Sequence, residues 1–261
     1  MLAFLYDKSF EGLLSAVFDA YTHKRFPDML HGEDDVLPLT ALEVCRVETR
    51  PDKVARVFAG LERRLSREGM NNLACAWLGD QPGHDMLLMR YMRGVFDHGG
   101  TFEADYAHPD VFAVNRLARN VYGESHQLKG FARFQKTADD IYFCALAPRY
   151  NVLPLLGAHF ADRLAEQTWV VYDTRRRYGL AHEDGALRDV FFDPALLDAH
   201  GRLDPEHLAE NEELFQELWQ RYCKAATVRE RINPRLQSRC MPRRFWPVMT
   251  EHYPKTGRQG L

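Results

Sequence analysis

Basic side chains are concentrated near the end of this amino-acid sequence. Eight of them fall within 24 residues, and Phe245 and Trp246 follow directly. They are Arg221, Lys224, Arg229, Arg231, Arg235, Arg239, Arg243 and Arg244. A guanidinium group suits phosphate because its planar fork donates to two oxygens at once. An exposed Trp246 ring is able to stack on a base. Residues 221–261, the basic segment, are therefore predicted to form a surface for nucleic acid or another polyanion.

The stretch before the basic segment is strongly acidic. Residues 181–220 hold eleven acidic and two basic side chains, a net charge of −9. The basic segment carries +8, in a chain whose total is −3. Blocks of opposite charge face different partners or each other. Two interpretations therefore stay open: the arginines bind a polyanion, or they pair with the acidic stretch while Trp246 packs in the core.

A second group of polar residues lies among apolar ones in the middle of the chain. It comprises His126, Arg133, Asn151, His159, Arg163 and Asp173, and Arg175 follows two residues later. One hypothesis makes His159, Asp173 and His126 catalytic groups that transfer protons. In that hypothesis the three arginines of the group bind the nucleic acid. The alternative is a buried polar network in which Asp173 pairs with Arg163 and His159 is a core residue.

Several cofactor sites have no signature in the sequence. There is no His-Glu-x-x-His pattern, no closely spaced cysteine pair, no Walker motif and no Gly-x-Gly-x-x-Gly. We therefore predict no metal and no other cofactor. The five cysteines are odd in number and scattered, which favours a reducing compartment. No apolar run approaches the roughly 20 residues of a membrane span. We expect a cytoplasmic protein without a membrane partner.

The elements that position these residues predict an α+β fold, predominantly helical with a small, mainly antiparallel β-sheet. Leu2–Tyr6 is predicted as a strand. Residues 130–135 and 141–147 flank a polar turn and predict a β-hairpin. Asp204-Pro205 combines an N-cap acid with Pro at the first helical position, which predicts a long helix ending near Ala226. A length of 261 residues allows a single compact domain or closely packed unit.

Weaker local signals complete the predicted elements. Ser9 is a candidate N-cap for a helix with a wide apolar face. Residues 27–38 are predicted as a polar loop. Thr49 with Asp52 resembles a capping box at the start of another helix. Residues 243–252 are predicted to form a final short helix.

Six segments of the sequence resemble one bacterial family of DNA metabolism or DNA repair proteins, whose main domain is a domain of unknown function. The segments are Phe4–Tyr21, His126–Phe134, Pro148–Arg163, Trp169–Asp173, Glu230–Gln237 and Met241–Trp246. The resemblance covers nearly the whole chain, and residues 84–252 are its most family-like core.

The resemblance implies work on DNA. Members are typically encoded beside a radical S-adenosylmethionine protein thought to act in DNA modification or repair, and some resemble fusions to a uracil-DNA glycosylase-type domain. This chain lacks the closely spaced cysteine triad of radical enzymes. The resemblance carries over no catalytic residue, and the sequence assigns no reaction.

Three functional hypotheses therefore remain. The first is a DNA-binding accessory protein whose partners are DNA and a radical S-adenosylmethionine or glycosylase-type enzyme. The second is an enzyme that acts on DNA bases with a His/Arg/Asp site. The third is a protein-interaction module that does not bind nucleic acid.

Overall fold

The computed structural model describes residues 1–191, 197–198 and 202–252. It is an α+β protein with about 52% helix and 16% strand, which confirms the predicted dominance of helix. The chain divides into two compact units, and the second begins at Gly123. Residues 253–261, which end the predicted basic segment, lie outside the described residues. Among the described helices, none combines the length and the apolar character needed to cross a membrane.

The first unit is built on a three-stranded parallel sheet with strand order β2-β1-β3. The strands are β1 (Leu2–Tyr6), β2 (Met29–Gly32) and β3 (Glu43–Arg46). Four of the five residues of β1 are buried, as expected for the central strand of a parallel sheet. Helix α1 (Phe10–Thr22) joins β1 to β2, because a tight turn cannot connect parallel neighbours. The predicted loop at residues 27–38 is wrong where it contains β2.

Helices make up the rest of the first unit. They are α2 (Pro51–Glu62), α3 (Arg67–Trp77), α4 (His84–His98) and the start of α5 (Pro109–Phe131). The predicted cap of α1 is confirmed, since the Ser9 hydroxyl accepts from the Gly12 backbone N–H at 2.8 Å. The predicted capping box is wrong. Arg50 is the N-cap of α2, and the Thr49 hydroxyl donates to Asp7 instead.

The second unit contains a five-stranded mixed sheet with strand order β4-β5-β6-β7-β8. The strands are β4 (Gln135–Lys136), β5 (Tyr142–Leu146), β6 (Trp169–Asp173), β7 (Tyr178–Glu183) and β8 (Ala186–Val190). β5 and β6 are parallel and are joined by α6 (Leu153–Arg163), while the other neighbours are antiparallel. The prediction of one small, mainly antiparallel sheet is therefore wrong: one sheet is wholly parallel and the larger one is mixed.

Two hairpins complete this sheet. The predicted hairpin exists between β4 and β5, but its first strand is shorter than expected because α5 continues to Phe131. The second hairpin joins β7 to β8 through a two-residue turn, Asp184-Gly185, in which both residues have positive φ (51° and 76°). Such a turn matches the right-handed twist of the strands on either side.

Short helical elements follow the sheet. They are α7 (Glu212–Ala226), α8 (Pro234–Cys240) and two 3-10 turns, Arg243–Val248 and Thr250–His252. The long helix predicted from Asp204 is wrong at its start, since Asp204 caps a single 3-10 turn and α7 begins eight residues later. Its predicted end at Ala226 is confirmed. The last predicted helix is instead the pair of 3-10 turns.

The substitution Ser9→Ala tests the cap of α1. It removes the acceptor for the Gly12 N–H and one hydrogen bond to Asp7. We expect the free energy of unfolding to fall by about 1 kcal/mol, measured by urea denaturation. Ser9→Thr keeps a capping hydroxyl and should lose about 0.5 kcal/mol or less. Equal stability of Ser9→Ala and the unaltered protein would contradict the assignment.

Candidate functional site

The three predicted catalytic groups belong to different parts of the second unit. Asp173 is fully buried at the end of β6, where its carboxylate accepts from the backbone N–H groups of Arg175 and Arg176. The Arg176 guanidinium also donates to it at 2.8 Å. Asp173 therefore closes the turn into β7, and its ion-pair partner is Arg176 rather than the expected Arg163.

The two predicted catalytic histidines lie on helices. His159 is half-buried in α6, and burial together with the nearby Lys129 and Arg163 charges lowers its pKa. His126 is exposed on α5. Within the described residues, no hydrogen bond or ion pair joins His126, His159 and Asp173 to one another, and no group of three or more His, Cys, Asp or Glu side chains is arranged to hold a metal ion.

Within the second unit, an ion pair joins the end of the described chain to the residues that follow α5. Arg133 donates to both oxygens of Glu251, at 3.0 Å from Nε and 2.6 Å from Nη2. The Trp219 indole N–H donates to the same carboxylate at 3.1 Å, and the Arg133 guanidinium lies 5.4 Å from the Trp219 ring centroid. We call these three residues the junction. Arg133, which the sequence predicts to bind nucleic acid, therefore donates from its guanidinium group to Glu251.

The junction controls the charge of Glu251. Burial acts to raise the pKa of this carboxyl, but the hydrogen bonds from Arg133 and Trp219 outweigh burial and hold the pKa below its usual range. The carboxylate is therefore charged at neutral pH. The junction side chains of Arg133 and Glu251 are 20% and 13% exposed, so water screens their attraction only in part.

Other predicted binding residues also serve the fold. Arg244 pairs with the buried carboxylate of Glu124 at 2.9 Å, and the same carboxylate accepts from the Tyr150 backbone N–H. Arg175 is exposed and donates to the Pro148 carbonyl oxygen at 3.2 Å. Glu124 therefore anchors the 3-10 turn Arg243–Val248. Glu251 similarly anchors the 3-10 turn Thr250–His252, to which it belongs.

The aromatic pair of the basic segment is packed within the protein. Phe245 is buried against Phe131. Trp246 is half-buried, its indole N–H donates to the Met241 carbonyl, and its ring stacks on His252 with centroids 4.4 Å apart. Arg243 lies 5.5 Å from the centroid of the same ring. The ring of Trp246 is thus already engaged in stacking.

Other arginines of the basic segment are not paired with a carboxylate of any described residue. Arg229, Arg231, Arg235 and Arg239 are all exposed, and within the described residues none of their guanidinium groups has an ion-pair or hydrogen-bond partner. We call these four residues the open arginines. Arg163, at the end of α6, is likewise exposed and without an ion pair to any described residue.

The acidic stretch does not neutralise the open arginines. Glu212 is buried and accepts from the Lys136 backbone N–H and the Gln216 amide. Glu217 pairs with Arg221 one turn away on α7. Among the described residues, this is the one ion pair between the acidic stretch and the basic segment. The charged side chains of the two blocks therefore pair with each other, within the described ranges, only at Glu217 and Arg221.

The part of the chain that holds the junction matches a known family model. A domain of unknown function, DUF4130, aligns with residues 82–251, which is more than half of the chain. This chain belongs to the DUF4130 family. The predicted resemblance to a family with a domain of unknown function is confirmed at that level. No curated protein and no solved structure matches the chain.

The matched DUF4130 region includes both anchoring carboxylates and all four open arginines. Sequence reasoning missed Glu124 and Glu251, because a glutamate in a loop or helix carries no signal of a partner more than 100 residues away. It also missed the exposed aromatic residues of α7. Their signal was present, since Phe215, Trp219 and Tyr222 recur at the i, i+4, i+7 spacing of one helix face.

A polar cluster in the first unit lies mostly outside the matched region. Lys8 follows β1 with a positive φ of 59°, and its ammonium pairs with the buried Asp85 at 3.0 Å. The Tyr6 hydroxyl donates to the same carboxylate at 3.1 Å. Burial, with the neighbouring Asp85 charge, raises the pKa of Tyr6 far above its usual range. This network fastens the end of β1 to the first turn of α4.

The substitution Glu251→Gln tests the junction. Losing the charge-assisted hydrogen bonds should lower the free energy of unfolding by about 1–3 kcal/mol at pH 7. Because the folded pKa of Glu251 lies below its ordinary value, the stabilisation is complete above pH ~5 and is lost as the pH falls through the lowered pKa. Urea denaturation from pH 7 to pH 3 should therefore show the two proteins converging.

Glu213→Gln is the matched control for this experiment. Glu213 is exposed on α7 and has no ion pair within the described residues. Its substitution should change stability by about 0.5 kcal/mol or less at any of these pH values. A stability gap between Glu251→Gln and the unaltered protein that stays constant down to pH 3 would contradict the assigned role of the carboxylate.

Proposed function

We propose that this protein binds nucleic acid, with DNA as its partner, through the open arginines of the basic segment. The single observation that supports the proposal most is that Arg229, Arg231, Arg235 and Arg239 are exposed and unpaired among the described residues. Four guanidinium groups within eleven residues leave twenty N–H donors in water unless an anion meets them. Only one acidic residue, Glu230, lies among them.

Phosphate is the ligand that best suits such a group. Each guanidinium is charged at all physiological pH values and donates two parallel hydrogen bonds to phosphate oxygens. Neutralising a phosphate also releases condensed counterions, which makes the affinity depend on salt. The arginines that hold the fold, such as Arg133 and Arg244, are anchored by carboxylates. The proposed binding therefore does not require the junction to open.

The biological setting of the proposal rests on the family resemblance. We place the protein in DNA metabolism or repair, as an accessory to a radical S-adenosylmethionine or uracil-DNA glycosylase-type enzyme. The five free cysteines fit a reducing cytoplasm. The enzyme alternative lacks support from the positions of His159 and Asp173, which share no contact within the described residues.

The test removes the four open charges together. The variant Arg229→Gln, Arg231→Gln, Arg235→Gln, Arg239→Gln should bind a labelled 20-base duplex or single strand at least tenfold more weakly at low salt, measured by fluorescence anisotropy. The slope of log K against log [salt] should become shallower by about 3 to 4, since each lost phosphate contact removes about 0.7 to 0.9.

A second variant with the same change in net charge is the control. Arg63, Arg67, Arg116 and Arg119 are exposed in the first unit, and substituting all four by Gln also removes four positive charges. We expect this variant to keep the salt slope of the unaltered protein. Equal losses in the two variants would show that net charge matters and not the open arginines, and the proposal would then be wrong.

A further inference from the structure

Helix α7 turns its polar side toward the protein and its apolar side toward water. Its inward residues are polar: Glu212 is buried, the Gln216 amide donates to Glu212, and the Gln220 amide donates to the Thr250 carbonyl. The outward residues include Leu214, Phe215, Leu218, Trp219 and Tyr222, each at least 39% exposed, and the charged Glu213, Glu217 and Arg221 are exposed beside them. Surface helices normally bury their apolar stripe, so an exposed one indicates a binding surface.

Three of the outward residues are aromatic and recur at helical spacing. Phe215, Trp219 and Tyr222 lie at i, i+4 and i+7, about 6 Å and 4.5 Å apart along the helix axis. The rings of Trp219 and Tyr222 already stack, with centroids 5.7 Å apart and planes 30° from parallel. Both side chains stay at least 39% exposed, so ring surface is left on which unpaired bases are able to stack.

The junction holds the middle ring in place. The Trp219 indole N–H is hydrogen-bonded to Glu251, and the Arg133 guanidinium lies close to its ring. A ring fixed in this way loses little conformational entropy when a ligand stacks on it. The exposed part of Trp219 is therefore a preorganised platform between Phe215 and Tyr222.

Positive charge lies directly beyond this face. Lys224 is exposed in the last turn of α7, and Arg229 follows the helix end at Ala226 by three residues. Along the chain, the Cα atoms of Tyr222 and Arg229 are separated by at most about 17 Å. A single strand spans this distance within a few nucleotides, so its bases and phosphates are able to reach the aromatic and basic groups together.

We infer that Phe215, Trp219 and Tyr222 stack on the bases of single-stranded nucleic acid whose phosphates are bound by the open arginines. The inference rests on the proposed function and names the form of nucleic acid. A duplex hides its base faces inside the helical stack, so the aromatic rings discriminate in favour of the single strand. The arginines contribute affinity for both forms, because both carry phosphates.

The experiment compares a 20-nucleotide oligothymidylate with a 20-base-pair duplex at one salt concentration, using the full chain. The double variant Phe215→Leu, Tyr222→Leu keeps apolar, helix-forming side chains but removes two rings. We expect it to bind the single strand at least tenfold more weakly and the duplex unchanged. The control double variant Leu214→Ala, Leu218→Ala changes two apolar residues of the same face and should bind both forms within about twofold of the unaltered protein.

Tryptophan fluorescence gives a second readout. Saturating oligothymidylate should quench the emission of the unaltered protein. Trp219→Phe should lose most of this quenching and bind the single strand more weakly, since Phe lacks the indole and its hydrogen bond to Glu251. Quenching that persists in Trp219→Phe would contradict stacking at this position.

The outcomes separate the inference from the proposed function. Single-strand affinity that survives Phe215→Leu, Tyr222→Leu but is lost with the open arginines overturns the inference alone. No binding of either nucleic acid by the unaltered protein overturns both. Concentration-dependent self-association in sedimentation, abolished by Phe215→Leu, Tyr222→Leu, would assign the face to a second copy of the chain and also overturns the inference.

Discussion

The ion pair between Arg133 and Glu251 is the contact on which the C-terminal part of the second unit depends. It joins residues 118 positions apart in sequence, and it recruits Trp219 of α7 as a third partner. One carboxylate thus fixes the end of the described chain and the middle of α7 at the same time. The named elements after the sheet are two helices and short 3-10 turns rather than strands of a hydrogen-bonded ladder.

Two groups of arginines in the second unit differ in what their guanidinium groups contact. Arg133, Arg176 and Arg244 each meet a carboxylate that is at most 13% exposed, and they stabilise the fold. The open arginines meet no carboxylate among the described residues, and their charge is available to a ligand. Both roles involve the same chemistry, since a guanidinium fork binds carboxylate and phosphate alike. The placement of carboxylates therefore decides which arginines remain accessible.

Local signals in the sequence were sufficient for several elements. β1, the Ser9 cap, the hairpin between β4 and β5, and the end of α7 at Ala226 all follow from patterns within about ten residues. Signals of the same kind failed where a shorter element or a distant partner competed with the expected one. Asp204 caps a 3-10 turn instead of a long helix, and Thr49 bonds to Asp7 of a neighbouring loop instead of capping α2. The Asp184-Gly185 turn was a readable signal that the sequence interpretation passed over.

Features that depend on pairing across the chain were not predictable from one sequence. The parallel sheet of the first unit requires β1 to pair with strands whose partner residues are 26 and 41 positions away, and no local pattern specifies those partners. The candidate site also depends on pairing across the chain. Sequence reasoning found the arginines because they are clustered, but Glu124 and Glu251, which divide them into two roles, are separated from their partners by 120 and 118 residues.

Arginine-specific chemical modification tests the central division most directly. The full chain is treated with phenylglyoxal, alone and with a saturating oligonucleotide, and each arginine is followed by peptide mass spectrometry. We predict fast modification of Arg229, Arg231, Arg235 and Arg239 in the protein alone, slow modification of Arg133 and Arg176, and protection of the four fast residues by the oligonucleotide. Slow modification of those four residues in the protein alone, or unchanged rates with the oligonucleotide bound, would contradict the account.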